Sequence, residues 1–243
     1  MKTDLSLYKA LLSNDGFALL PDIYDAAEIH TILTCIQSAD HSSEAFRKSN
    51  DVFAIRRFLN EIPETVSLIF NQNLKSVIAQ IFGIDYFVIK SIYFDKPESS
   101  NWFVPYHQDL TIAVDKKAEL PGFGPWTVKQ NQTAVQAPVE LLQNIYTIRI
   151  HLDDTDENNG ALKVIPKSHL KHIYRPETID WNVEKETVCR VQSGGIMLMK
   201  PLLLHSSGRT NNNRKRRVIH IEFSNMALPE DIEWAEKLEF AAV

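Results

Sequence analysis

Apolar residues change their spacing near residue 86 of this chain. Before that point they recur at helical intervals. Residues 5–12 form a short amphipathic segment, Asn14-Asp15-Gly16 a turn, and 17–20 a short strand ended by Pro21-Asp22. Ile29, Ile32, Leu33 and Ile36 share one helical face, with Asp22 or Asp25 available to cap it. Further helices are predicted over 54–60, 63–71 and 73–82, the last stopped by Gly83. Beyond residue 86 the period shortens to two, and 86–94, 146–152, 161–165, 195–199 and 217–223 read as strands separated by turns. Helices first and many short strands later predict a mainly β fold. The expectation is a double-sheet jelly roll core over about 86–225, with a helical N-terminal part over about 1–85 packed outside it. No repeat, low-complexity tract or Pro/Gly/Ser-rich linker divides residues 1–243, so one domain is expected. The segment between Asp109 and Glu140, with Pro-Gly-Phe-Gly-Pro-Trp at 121–126, reads as a long loop, a candidate lid.

Two strands carry a polar stripe. In 146–153, Ile148, Ile150 and Leu152 lie on one face, and Thr147, Arg149, His151 and Asp153 on the other. In 216–223, Arg217, Ile219, Ile221 and Phe223 oppose Arg216, Val218, His220 and Glu222. Such a stripe either faces solvent or lines a polar pocket between sheets, and pattern alone leaves both open.

Composition narrows the partners. A net charge of −5 disfavours nucleic acid. No apolar run approaches the ~20 residues of a membrane span, and residues 1–5 do not begin a signal peptide. The two cysteines, Cys35 and Cys189, lie far apart in apolar surroundings and read as reduced core residues, which predicts a cytoplasmic protein.

The chemistry concentrates in His107-Gln108-Asp109, His205 and Arg216. Residues at i and i+2 of a strand face the same way, so His107 and Asp109 can point together, and a third ligand, His205, would close a triangle. Two imidazoles and a carboxylate on one side of a metal leave the other side open, the arrangement of non-haem Fe(II) oxygenases. Arg216, eleven residues after His205, is either part of a solvated cluster with Arg214, Lys215 and Arg217 or turned inward to grip a carboxylate. With a turn at Asn211-Asn212-Asn213, His205 and Arg216 are expected on adjacent antiparallel strands facing one pocket, and Ser207 shares the face of His205. Arg149 and His151 are candidate substrate contacts.

The segments WFVPYHQDL (102–110), HLDDTDENNGALKVIPKSH (151–169) and HSSGRTNNNRKRRVIHIEF (205–223), with Asp15-Gly16-Phe17 and Leu20-Pro21 near the start, resemble the phytanoyl-CoA dioxygenase family. The resemblance implies a double-stranded β-helix, Fe(II) held by His107, Asp109 and His205, and 2-oxoglutarate held by Arg216 with help from Ser207. Gln108 and Trp126 correspond more loosely to pocket residues. Asn159-Gly160 and Pro166-x-Ser168-His169 match structural turns, with Lys167 where glycine is usual. The implied reaction is oxidation of a small molecule by dioxygen, with 2-oxoglutarate decarboxylated to succinate and CO₂. The carboxylate of Asp109 favours hydroxylation over halogenation. Two alternatives stay open: a cupin-like metal protein with other chemistry, which has no use for a carboxylate-gripping arginine, and a non-catalytic binding module of the same fold.

Overall fold

A computed structural model describes residues 4–40, 46–48, 53–98, 102–129 and 132–240. The N-terminal part holds α1 (Ser6–Asp15), β1 (Phe17–Leu20), α2 (Ala26–Ser38), β2 (Phe46–Lys48), β3 (Phe53–Arg56), α3 (Phe58–Glu61), α4 (Thr65–Ile69) and α5 (Gln72–Ile81). Gly16, left-handed at φ 86°, ends α1. The cap of α2 is Asp25, which accepts from the Glu28 backbone N–H while the Glu28 carboxylate accepts from that of Asp25.

Strands then dominate: β4 (Phe87–Lys96), β5 (Val104–His107), β6 (Thr111–Val114), β7 (Trp126–Lys129), β8 (Gln132–Gln136), β9 (Tyr146–His151), β10 (Leu162–Val164), β11 (Thr187–Val188), β12 (Ile196–Met199), β13 (His205–Ser207) and β14 (Arg216–Ser224), with the short α6 (Val139–Gln143) before β9. They form a seven-stranded sheet ordered β1-β12-β9-β14-β4-β3-β2, a four-stranded sheet ordered β11-β10-β13-β5, and a three-stranded sheet ordered β6-β8-β7. All pairings are antiparallel. The large and four-stranded sheets enclose a polar cavity, as in a double-stranded β-helix.

Three expectations change. The helix expected over 54–60 is half strand: β3 pairs with β4 from Phe53↔Asp95 to Arg56↔Ile92, and the helix begins only at Phe58. Sheet pairing overrides local helical propensity here. The N-terminal part holds β2 and β3 besides the expected strand β1, and all three extend the large sheet. The expected loop over 109–140 is largely the three-stranded sheet, whose Ile112, Val114 and Val135 build a separate apolar cluster with Leu141 and Leu142.

The helices cover the outer face of the large sheet. Ile148, Ile150, Ile219, Ile221 and Phe223 pack there with Ile32, Ile36, Leu74 and Ile78. Their strand neighbours Thr147, Arg149, His151, Arg216, His220 and Glu222 therefore point between the sheets and are buried. The polar stripes line the interior rather than facing solvent.

Candidate active site

Strand register creates the centre of the site. In the pairing of β13 with β5, His205 lies directly opposite His107, and their ring centroids are 4.3 Å apart. Asp109 follows two residues after the end of β5. Its backbone N–H donates to Pro201 O (2.9 Å), which ties it to the turn before β13. The Asp109 carboxylate stands 3.8 Å from His107 Nε2 and 3.7 Å from His205 Nε2. These separations are too long for hydrogen bonds and suit an ion shared among the three groups. One ligand atom from each residue lies within 4.8 Å of the others.

The imidazoles are set for ligation. His107 Nδ1 donates to Pro105 O (2.9 Å) and His205 Nδ1 to Leu203 O (2.8 Å). Each ring thus keeps its proton on Nδ1 and turns the Nε2 lone pair toward Asp109, as backbone carbonyls do for metal-ligating histidines. Burial pushes the His205 imidazole down to about 4, against the pull of Asp109, so it is neutral near pH 7. Burial opposes the charge of Asp109, but His205, His220, Lys90 and His107 outweigh it and hold the carboxyl well below its ordinary range. Two imidazoles with their Nε2 atoms turned inward and an ionised carboxylate are a hard N,N,O set that fits Fe(II).

The arginine end lies in the same cavity, about 210 Å³, lined among others by His107, Asp109, His205, Arg149, Ser207 and Arg216. Arg216 enters from β14 and Ser207 from β13, so they approach across the two sheets. His205 and Arg216 are consequently not on adjacent strands of one sheet: β13 pairs with β10 and β5, and β14 with β4 and β9. Arg216 Nη1 donates to Gly160 O and to Ser207 Oγ (3.2 Å), and Ser207 Oγ donates to Gly160 O (3.0 Å). The basic run divides accordingly. Arg214 and Lys215 are exposed, Arg216 is buried, and Arg217 pairs with Asp153 at 2.6 Å.

Arg149 is also buried, and its Nη1 donates to His220 Nδ1 (3.1 Å). Burial lowers Arg149 to about 10, and burial together with Arg149 lowers Arg216 to about 9. Both remain cations near pH 7, and neither has a carboxylate within ion-pair distance among the described residues. Their Nε atoms are buried without hydrogen-bond partners. This end of the cavity is short of anions.

Three contributors escaped the sequence reading. Lys90 lines the cavity and pairs with Glu222 at 2.7 Å, and Glu222 Oε1 accepts from His220 Nε2 at 3.0 Å. Asp109, His220 and Glu222 form a second grouping with metal-like spacing. Glu222 is already committed to Lys90, and His220 to Arg149 and Glu222, so these two residues form a hydrogen-bonded chain behind Asp109. The alternation along β14 did carry a signal for His220 and Glu222. Nothing local marked Lys90.

Other expected residues are not brought to this cavity. Gln108 points away from it: Nε2 donates to Leu202 O (2.5 Å) and His172 O (2.8 Å), and Oε1 accepts from Tyr174 N–H (2.8 Å). It is a brace behind the His-x-Asp loop, because its neighbours' side chains turn inward. Trp126 sits on β7, half-buried against the apolar cluster of the three-stranded sheet. His151 is buried beside the cavity, bonded to Thr155 Oγ1 (2.8 Å), and does not line it. Lys167 adopts φ 69°, the conformation that glycine would take most easily.

The profile of the phytanoyl-CoA dioxygenase family (PhyH) matches residues 12–218. The chain belongs to this family. It is accordingly an oxygenase that works with iron and 2-oxoglutarate on a small molecule. Among solved structures, the fold is similar to SnoN, a non-haem α-ketoglutarate-dependent epimerase from nogalamycin biosynthesis (TM-score 0.67, 15% identity, 90% of this chain and 82% of that one). It is also similar to EctD from S. alaskensis (0.68, 16%, 89% and 75%) and to HygX from Streptomyces hygroscopicus, solved with nickel, 2-oxoglutarate and hygromycin B (0.63, 13%, 90% and 86%). At these identities the likeness is one of fold. No curated protein sequence matches the chain. Among the described residues no helix is long and apolar enough to cross a membrane, and Cys35 and Cys189 are both free.

Proposed function

We propose that this family member is a hydroxylase of a small-molecule substrate, with His107, Asp109 and His205 as the Fe(II) ligands and Arg216 as the anchor of 2-oxoglutarate. The observation that carries the reading is the convergence of two Nδ1-protonated imidazoles on an ionised carboxylate, in the cavity that holds Arg216. Bound iron and 2-oxoglutarate supply the oxidising power, with dioxygen consumed and succinate and CO₂ released. The chain's own residues orient and shield. Backbone carbonyls fix both imidazole rings. Gln108 braces the loop that presents Asp109. Arg216 and Ser207 receive a carboxylate, Arg216 leaving the Gly160 carbonyl to do so. Phe94, Trp102, Val104 and Leu162 supply apolar wall around the polar groups and limit the access of water. Arg149 faces the same space and contacts the substrate or the co-substrate. The two free thiols support a cytoplasmic location.

Anaerobic titration of the metal-free chain with Fe(II) and then 2-oxoglutarate tests this. A metal-to-ligand charge-transfer band that needs both components, and is absent in His107→Ala, supports the assignment. Tight metal binding with no band overturns it in favour of a cupin-like metal protein with other chemistry. SnoN is an epimerase and another similar fold, SnoK, a carbocyclase, so the oxidation outcome is tested separately, by incorporation of labelled dioxygen into product. Incorporation marks hydroxylation.

A further inference from the structure

Arg149, His220, Glu222 and Lys90 form a continuous hydrogen-bonded row across the inner face of the large sheet. Strand register sets the row. His220 of β14 lies directly opposite Arg149 of β9, and Glu222 of β14 directly opposite Lys90 of β4. The contacts follow these pairs. Arg149 Nη1 donates to His220 Nδ1 (3.1 Å), His220 Nε2 donates to Glu222 Oε1 (3.0 Å), and Lys90 Nζ donates to the same Glu222 oxygen (2.7 Å). A guanidinium can only donate, so His220 Nδ1 presents a lone pair and the ring proton sits on Nε2. Glu222 is the acceptor that selects this tautomer. Without it the proton is free to move to Nδ1, where it opposes the Arg149 donor.

Charge is unevenly spread along the row. At one end Lys90 and Glu222 offset each other. At the other, Arg149 has no carboxylate within ion-pair distance among the described residues, and its Nε has no partner. Its side chain lines the metal-site cavity and the residue is only 7% exposed. Among the described residues lining that cavity, Asp109 has the only carboxylate, and it faces the two imidazoles. A structural arginine at this depth would be paired with an acid. Arg149 is instead held by an uncharged acceptor, which fixes its direction and leaves its charge to an occupant of the cavity.

The two unpaired guanidinium groups are held at different places. Arg216 is anchored at Gly160 and Ser207. The residue that anchors Arg149 is His220, a ring nitrogen of which lies within 4.8 Å of an Asp109 carboxylate oxygen. Arg149 is thus the guanidinium held nearer the metal face. 2-Oxoglutarate carries a carboxylate at each end, one of them beside its keto group.

We propose that Arg149 receives the carboxylate beside the keto group, and that His220 and Glu222 are positioning residues that aim Arg149 at it. The proposal rests on the oxygenase reading for the identity of the occupant, with the distal carboxylate at Arg216.

The test uses ligands that each lack one carboxylate. 4-Oxobutanoate keeps the distal one and 2-oxopentanoate the one beside the keto group. Their affinities, with that of 2-oxoglutarate, are measured by isothermal titration of the full chain loaded anaerobically with Fe(II). Arg149→Met should weaken 2-oxopentanoate binding by roughly tenfold or more and leave 4-oxobutanoate within about twofold. Arg216→Ala should show the reverse preference. His220→Phe and Glu222→Ala should each weaken 2-oxopentanoate selectively, by roughly threefold or more, the worth of a neutral hydrogen bond. His220→Asn, whose side-chain oxygen can accept in place of Nδ1, should recover part of that loss. The readout is the ratio of the two affinities within one variant, which a smaller folded fraction does not move because it lowers both alike. Arg149→Met removes a buried unpaired charge and so keeps one arm readable where a His220 or Glu222 variant folds poorly. An unchanged ratio in Arg149→Met overturns the carboxylate assignment. An unchanged ratio in both His220→Phe and Glu222→Ala overturns the positioning role. These outcomes, with 2-oxoglutarate still bound by the wild type, leave the oxygenase reading standing. A wild-type chain that takes up iron but no 2-oxoglutarate sinks both.

Discussion

The two ends of the metal-site cavity solve opposite electrostatic problems. At the His107/Asp109/His205 end, the second nitrogen of each ring is satisfied by a backbone carbonyl and the carboxylate is held below its ordinary range by the groups around it. At the Arg149/Arg216 end, two buried guanidinium groups lack carboxylate partners among the described residues, and the unpartnered buried atoms there include both of their Nε groups and His151 Nε2. The first end is pre-organised, awaiting only a cation. The second carries an uncompensated charge that costs stability until an anion arrives. On the proposed reading, affinity for the ion would come from geometry already in place, and affinity for the dicarboxylate from relief of the unpaired buried charge.

The largest expected effect is at the ordered end. Asp109→Ala or His205→Ala should abolish iron uptake and the charge-transfer band and reduce turnover to background. Survival of either would dissolve the contrast between the ends. Next comes Arg216→Ala, which should raise the 2-oxoglutarate concentration needed for the band by roughly 10–100-fold, the worth of a charge-assisted pair. Arg216→Lys should recover part of this but not the bidentate fit. Gln108→Ala should weaken iron binding by about tenfold, as loss of support around a ligand does, while 2-oxoglutarate affinity at saturating iron changes little. Arg149→Met discriminates most sharply: it should impair turnover yet raise the melting temperature of the metal-free chain by about 2–4 °C per kcal/mol of relieved charge burial. A fall in melting temperature would show that Arg149 is already compensated.

The smallest effect concerns pH. Burial, with Arg149 and Arg216 adding, depresses His151 well below its ordinary value of 6.5, and burial lowers His205 to about 4. The unfolded chain takes up protons on these imidazoles near 6.5 and the folded chain only at lower pH. Stability of the metal-free protein is therefore fully present above 6.5 and is lost as pH falls from 6.5 toward 4. Thermal melts across this range should show that slope, reduced in His151→Phe.

What could be read from the sequence divides along the same line. His107-x-Asp109 and the alternation on β9 and β14 are local patterns, and they located the metal face and the inward polar stripe. Whether the stripe faced water depended on the helices that cover Ile148 and Ile219, a long-range fact. Gln108 lies between two inward residues, yet its side chain turns away to bind carbonyls at 172 and 202, partners that no spacing reveals. Lys90 enters the site through a strand pairing across more than a hundred residues. Arg57 looked like the interior of a helix because local propensity is continuous there, and only the pairing of β3 with β4 breaks it.

β5 is the outermost strand of the four-stranded sheet and, among the described residues, pairs only with β13. His107 and His205 face each other across that seam. An ion gripped by both would rivet a border strand that few backbone hydrogen bonds retain. Amide exchange along 104–107 therefore becomes a gauge of metal loading, and the metal-free chain offers this strand first to solvent and to proteases.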